Sequence, residues 1–181
     1  MTGSHCTLSL ALAELSRLVN AGYDVQPIMS DSVYLTDTRF FRAEELRRRV
    51  SDICERPIIH TVRDAEPLGP ARPMEQLIIA PTTGNTLAKL ASGITDTSVT
   101  MAAKAHLRCD RPLLLAIASN DAMSQNLQSI ARMITRRSVY LVPMRQDDPI
   151  GKPHSLVADF SRLYDCFEAM RRGEQIRPLF I

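Results

Sequence analysis

Residues 76–96 read Gln-Leu-Ile-Ile-Ala-Pro-Thr-Thr-Gly-Asn-Thr-Leu-Ala-Lys-Leu-Ala-Ser-Gly-Ile-Thr-Asp. A short apolar run stops at Pro81, a small polar loop follows, and a helical pattern begins. That order puts backbone N–H groups and the hydroxyls of Thr82, Thr83 and Thr86 where a phosphate could sit. The chemistry it points to is retention of a nucleotide-like cofactor; an N-capping turn is the competing reading. A second set of such residues opens the chain. Met1-Thr2-Gly3-Ser4-His5-Cys6 leads at once into a helical pattern. Gly3 allows close backbone approach, and Ser4 or Thr7 can cap the helix. This is either a flexible N-terminus with a serine cap or a phosphate loop whose preceding strand is not in the given sequence.

Other polar residues carry weaker signals. His5 beside Gly3-Ser4 is either a phosphate donor or an ordinary loop histidine. His60 reads as structural, and His106 and His154 belong to no ligand pattern. Asp147-Asp148 ahead of Pro149 reads as a loop turn before it reads as a cation site. Arg47-Arg48-Arg49 is a solvated helix face. Cys6, Cys54, Cys109 and Cys166 are too scattered for a Cys-x-x-Cys motif, which removes zinc-ribbon and dithiol readings and fits a reducing compartment. No metal site is expected.

The elements that must position these residues alternate between strand and helix. With 181 residues and 45% hydrophobic content, the chain is expected to form one α/β domain over residues 1–181. A net charge of +2, no Trp and few aromatics give no field or stacking surface for nucleic acid. No 18-residue apolar run or signal peptide is present, so a soluble protein is expected. Leu8, Leu12, Leu15 and Val19, at steps of four, three and four, predict a helix over 6–21, stopped by Gly22. Val25 to Met29 reads as a strand and 31–42 as a polar loop. Leu46, Val50 and Ile53 line the next helix, and Pro57 to Val62 reads as a strand.

Three prolines forbid regular helix over 65–75. After the strand at 77–80 and its loop and helix, residues 97–108 form an Ala- and Met-rich helix packed on several sides, a candidate oligomer interface. Leu113 to Ala118 is a continuous apolar strand, suited to a sheet covered on both faces. A helix over 122–135 follows, with Met123, Leu127, Ile130 and Ile134 on one side. Then come a strand at 139–142, a loop over 143–154 and a last helix over 155–172. The fold class expected is three-layer, Rossmann-like α/β with a mainly parallel sheet.

Pro81-Thr82-Thr83-Gly84-Asn85-Thr86 is similar to the Pro-Ala-Ser-Ala-Asn-Thr flavin loop of the flavoprotein family. That family holds the homo-oligomeric flavin-containing cysteine decarboxylases and the flavin prenyltransferases. Leu87-Ala88-Lys89-Leu90-Ala91 continues the match, and Gly3-Ser4 stands where the family has its first phosphate loop. A narrower resemblance is to the branch formed by the B subunits of dipicolinate synthases. It rests on Thr2-Gly3-Ser4-His5-Cys6-Thr7, Thr36-Asp37-Thr38-Arg39-Phe40, Ala65-Glu66-Pro67-Leu68-Gly69-Pro70 and Met101-Ala102-Ala103-Lys104-Ala105. Ser119-Asn120-Asp121-Ala122 and Gln146-Asp147-Asp148-Pro149 extend it nearly end to end.

The resemblance implies flavin mononucleotide (FMN), with its phosphate held at Gly3, Ser4, His5 and Ser30. It implies that Thr83, Gly84, Asn85 and Thr86 meet the ribityl-phosphate or ring edge and that Asn120 addresses the ring. It further implies formation of dipicolinate from a dihydrodipicolinate-type precursor during sporulation, in the mother-cell cytoplasm. The A subunit of dipicolinate synthase is then the partner, with NAD(P) on that partner, and a homo-oligomer is expected. A dicarboxylate substrate needs cations: Arg39 is the candidate, with an ordinary solvated loop residue as its competing reading, and Arg108 and Lys89 are weaker. No catalytic base is identified. The family carries a strand before its Thr-Gly-Ser-His loop, so the sheet's first, central strand is expected to lie upstream of the given sequence. Glu66-Pro67-Leu68 has no His where the decarboxylases have theirs, and Ala118-Ser119-Asn120 keeps only the Asn of their Pro-x-Met-Asn motif. Peptidyl-cysteine decarboxylation is therefore not expected. Two alternatives stay open: a stand-alone flavin-dependent decarboxylase or prenyltransferase relative, and a non-catalytic scaffold that binds a nucleotide.

Overall fold

A computed structural model describes residues 1–181. Its centre is a sheet built on two long parallel strands, β1 (Leu77–Thr82) and β2 (Leu113–Ser119), with Leu77 opposite Leu113 and Ile79 opposite Leu115. β3 (Val139–Leu141) pairs in parallel with the other edge of β2. β4 (Met144–Arg145) and β5 (Leu156–Ala158) extend the sheet antiparallel: β5 pairs with the end of β2, and β4 with β5. The helices are α1 (Leu8–Asn20), α2 (Asp31–Leu35), α3 (Ala43–Cys54), α4 (Val62–Ala65), α5 (Gly84–Ser92), α6 (Ser98–Leu107), α7 (Leu127–Ile134) and α8 (Leu163–Arg171).

All seven side chains of β2 are buried because both of its faces are covered. Leu113, Leu115 and Ile117 face Leu87 and Leu90 of α5, Val99 and Ala102 of α6, and Ile130 and Met133 of α7. Leu114 and Ala116 face the opposite layer, with Ala11 and Leu18 of α1 and Leu163, Phe167 and Met170 of α8. A third cluster joins Leu8 and Leu12 to Met29, Val33, Leu46 and Val50 and fastens α3 against α1. The period-two alternation of a strand thus feeds two helix layers, which is the three-layer α/β architecture with a mainly parallel sheet.

Several expected elements change form. Val25–Met29 and Pro57–Val62 are not regular strands: they meet in one parallel bridge, Ile28 to Ile59, and α4 has already begun at Val62. The 31–42 loop starts with the short α2. The helix expected from 122 begins only at Leu127, and its buried side is Ile130 and Met133; Leu127, Ile134 and Met123 are exposed. The 155–172 segment first makes β5 and one 3-10 turn, because the end of β2 offers an edge that residues 156–158 fill. α6 is packed on several sides as expected. Its Val99, Ala102, Ala103, Ala105 and His106 are buried within this chain, so that face is not free for an oligomer.

The sheet is divided beside β1. The outer edge of β1 and the Gly22–Ile28 segment face each other across a cavity of about 840 Å³, lined by apolar groups including Leu15, Leu18, Val99 and Phe167. One end of the gap is crossed by the first two residues. The Met1 nitrogen donates to the Ile28 carbonyl at 2.7 Å, and the Met1 carbonyl accepts from Ser30 N at 3.1 Å.

Candidate functional site

Parallel strands deliver ligand-binding loops at their carboxyl ends. Here β1 ends at Thr82 and β2 at Ser119, side by side, with Thr82 registered against Ile117. α5 starts two residues after β1. Thr83 is its N-cap, its hydroxyl accepting from Thr86 N at 3.2 Å, and Leu87 N reaches the Thr83 carbonyl at 2.9 Å. Capping thus occupies Thr86 and Leu87, while none of the chain's own acceptors takes the N–H of Gly84 or Asn85. Gly93, in the left-handed region at φ +73°, ends the helix.

The N-terminal loop lies against this turn. The Thr2 hydroxyl donates to the Pro81 carbonyl at 2.8 Å and accepts from Thr83 N at 3.0 Å. Thr2 is only 1% exposed. The two segments singled out in the sequence, 79 and more residues apart, are therefore joined by one buried hydroxyl. On the other side of the loop, Ser32 Oγ lies 2.9 Å and His5 Nε2 3.5 Å from where a Cβ at Gly3 would stand. Ser30 Oγ is 3.0 Å from Ser32 Oγ. Gly3, His5, Ser30 and Ser32 thus lie together as one polar group. Burial lowers the His5 imidazole below its ordinary value, which favours the neutral ring with one N–H to donate. Ser4 turns elsewhere: its hydroxyl accepts from Thr7 Oγ1 at 3.1 Å, and neither Ser4 nor Thr7 caps a helix with its side chain.

Beneath Gly84 stands a polar cluster that the sequence reading missed. Ser119 Oγ donates to the Asp121 carboxylate, and Asn126 Nδ2 donates to its other oxygen at 2.9 Å. A Cβ on Gly84 would fall 2.6 Å from Asp121 Oδ1 and 2.7 Å from Asn126 Nδ2, so a side chain there would push the cluster aside. Asn126 Oδ1 is buried and has no donor. The available signal was the polar break at Ser119-Asn120-Asp121 after a continuous apolar strand. Thr2 and Ser32 were also missed; each lies one or two residues from a glycine or serine already singled out.

The remaining candidates stand apart. Asn120 and Asn85 are exposed at the mouth. Arg39 is placed in the loop before α3, its guanidinium 4.8 Å from the Phe40 ring, and it makes no hydrogen bond to either cofactor loop. Asp37 and Thr38 shape that loop by accepting from Ala43 N at 2.8 Å and Phe41 N at 3.2 Å. Lys89 pairs with Asp96 at 2.8 Å, and Arg108 lies 3.9 Å from Glu66. Both belong to the last turns of their helices or beyond, away from Gly84, because helical rise separates Lys89 from Gly84 by about 7.5 Å. His60 stacks on Tyr34 at 3.8 Å. Asp148 Oδ1 accepts from Gly151 N at 2.8 Å and Asp147 pairs with Lys152 at 2.9 Å, which is a turn.

The donor set fits FMN on its own chemistry. Hydroxyls and one imidazole beside Gly3 suit a phosphate monoester, and the unclaimed N–H groups at α5 suit a polar ring edge.

Comparison with known proteins agrees. The family model described as Flavoprotein matches residues 1–158. The B subunit of dipicolinate synthase from Bacillus subtilis (strain 168) is 38% identical over 181 residues, covering 100% of this chain and 90% of that protein. The crystal structure of the dipicolinate synthase B subunit from Bacillus halodurans is 40% identical and superposes with a TM-score of 0.91, over 99% of this chain and 92% of that one. The FMN-dependent cysteine decarboxylase SpaF shares the fold, with a TM-score of 0.68 at 19% identity over 95% of this chain and 93% of that one. With its three-layer Rossmann-like fold and its two glycine-bearing loops joined at Thr2, this chain belongs to the flavoprotein family.

Proposed function

We propose that residues 1–181 form one flavin-holding domain, working in a dipicolinate synthase as its flavin subunit, together with the enzyme's A subunit. The observation that supports this is the Thr2 bridge, which brings the loop at Gly3 against the loop at Thr83–Thr86. Gly3, His5, Ser30 and Ser32 would hold the phosphate, with Ser4 fixing the loop through Thr7. Thr83 and Thr86 keep the α5 turn in shape. Gly84 and Asn85 then offer N–H groups toward the ring, and Asn120 stands at the mouth.

The reaction is loss of a hydride and a proton from a dihydrodipicolinate-type precursor, giving the aromatic dicarboxylate. Bound flavin would supply a two-electron acceptor for that hydride. This chain's part is to bind and orient. Arg39 is the cation proposed for a substrate carboxylate, since its guanidinium has no acidic partner. The A subunit, of nicotinamide-dehydrogenase type, would carry NAD(P). The setting is the cytoplasm of a sporulating mother cell, where the flavin-holding chain forms a homo-oligomer. No helix is long and apolar enough to cross a membrane.

The test is titration of the purified chain with FMN, read by flavin fluorescence. Micromolar binding is expected, and Asn85→Ala, which keeps the main-chain N–H but removes the exposed side-chain amide, should weaken it about tenfold through loss of that amide's hydrogen bond to the ligand. A chain that leaves flavin fluorescence and absorbance untouched overturns the reading. Mixed with the A subunit and precursor, wild-type protein should raise the ultraviolet absorbance of dipicolinate above that of either component alone.

A further inference from the structure

The Ser119–Asp121–Asn126 cluster costs more than packing alone requires. A carboxylate can only accept hydrogen bonds, so Asn126 must turn its Nδ2 toward Asp121. Its Oδ1 is then fixed in the opposite sense, buried without a donor on a residue only 6% exposed. An orphaned buried acceptor is destabilising, and apolar residues of similar volume would avoid the loss. Asp121 has no Lys, Arg or His partner, so its charge is not neutralised by the chain. That charge lies against the first residue of α5, a nine-residue helix whose N-terminus carries partial positive charge and unclaimed N–H groups.

We propose that Asp121 is a positioning and electrostatic residue of the flavin site. It holds Ser119 and Asn126 against Gly84, and its charge offsets the positive end of α5 and lowers the reduction potential of bound flavin. This rests on the FMN reading above. Reduction adds two electrons and one proton to the flavin and leaves the ring system with net negative charge. A fixed carboxylate nearby opposes that gain, whereas a bare helix N-terminus would favour it.

The test uses the full chain loaded with FMN, reduced slowly by xanthine and xanthine oxidase against a reference dye. Asp121→Asn keeps both bonds of the cluster: the new amide oxygen accepts from Ser119, and Asn126 can flip so that its Oδ1 accepts the new N–H, which leaves one Asn126 amide atom unpartnered as in the wild type. An upward shift of the midpoint potential is expected, with flavin retained. Ser119→Ala strips a donor from the carboxylate and should shift the potential downward, which carries the test even where Asp121→Asn does not fold. FMN-loaded Asp121→Asn at the wild-type potential or below it overturns the proposal, and so does Ser119→Ala without a downward shift. Wild-type protein that binds no FMN is a different failure, of the flavin reading itself, and takes this proposal with it.

Discussion

Thr2 shows how much one hydroxyl can decide. Its side chain is buried and serves both the Pro81 carbonyl and the Thr83 N–H, two main-chain groups that have no substitute nearby. Thr2→Val keeps the shape and removes the hydroxyl, leaving both groups unpaired. The expected loss is about 1–3 kcal/mol, seen as a lower denaturant midpoint with unchanged slope. Thr2→Ser should keep most of the wild-type stability; equal stability of the Val and wild-type proteins would refute the bridging role. The same scale explains why two thiols stay out of any chemistry. Burial pushes Cys54 and Cys166 up to about 11, so neither supplies thiolate near neutral pH.

At the scale of elements, α5 and α6 matter most because they present the turn and cover β1. α6 begins with a reciprocal cap. Thr97 Oγ1 accepts from Thr100 N at 3.2 Å, and Thr100 Oγ1 accepts from Thr97 N at 3.1 Å. Such a box satisfies two end groups of the helix at once. Thr97→Ala should cost about 1 kcal/mol, measurable by thermal unfolding, with little change in FMN affinity because the cap lies outside the site. A large loss of FMN affinity with no loss of stability would contradict that separation. The helical pattern at 97–108 and the apolar run at 113–118 were readable because burial on several sides leaves an unbroken hydrophobic signal. The strands near Ile28 and Ile59 were readable only as extended segments, since one bridge holds them and propensity says nothing about the partner edge. β5 escaped for the same reason: three residues pair with the end of β2, and the local pattern merged with the helix that follows.

The whole molecule sets the response to pH. His106 is fully buried between α6 and the sheet, its Nε2 2.8 Å from the Pro112 carbonyl and its Nδ1 without a partner. Burial holds its pKa below the ordinary 6.5, outweighing the hydrogen bond to Pro112 that raises it. The folded protein keeps this ring neutral while the unfolded chain takes up a proton below pH 6.5. The unfolded state therefore binds more protons there, and stability falls as pH drops through 6.5 toward the folded value. His106→Gln retains an N–H for Pro112 and removes the titration. Chemical unfolding at about pH 7, 6 and 5, which spans the ordinary histidine range, should show a shallower decline for the variant than for wild type; parallel declines would exclude His106 as the cause.

Composition and pattern by themselves determined that this chain builds a covered parallel sheet. They also placed a polar turn at Thr83–Thr86 and a glycine loop at its start, because apolar runs, helical periodicity and glycine requirements are local properties. Only the tertiary structure decided that the two loops meet, since Thr2 and Pro81 are joined across 79 positions of chain. It also decided that Asp121, not its exposed neighbour Asn120, stands under Gly84. The direction of a side chain at the end of a strand depends on where the strand stops and what packs beneath it. That is settled by the neighbouring layer rather than by the residue's own type.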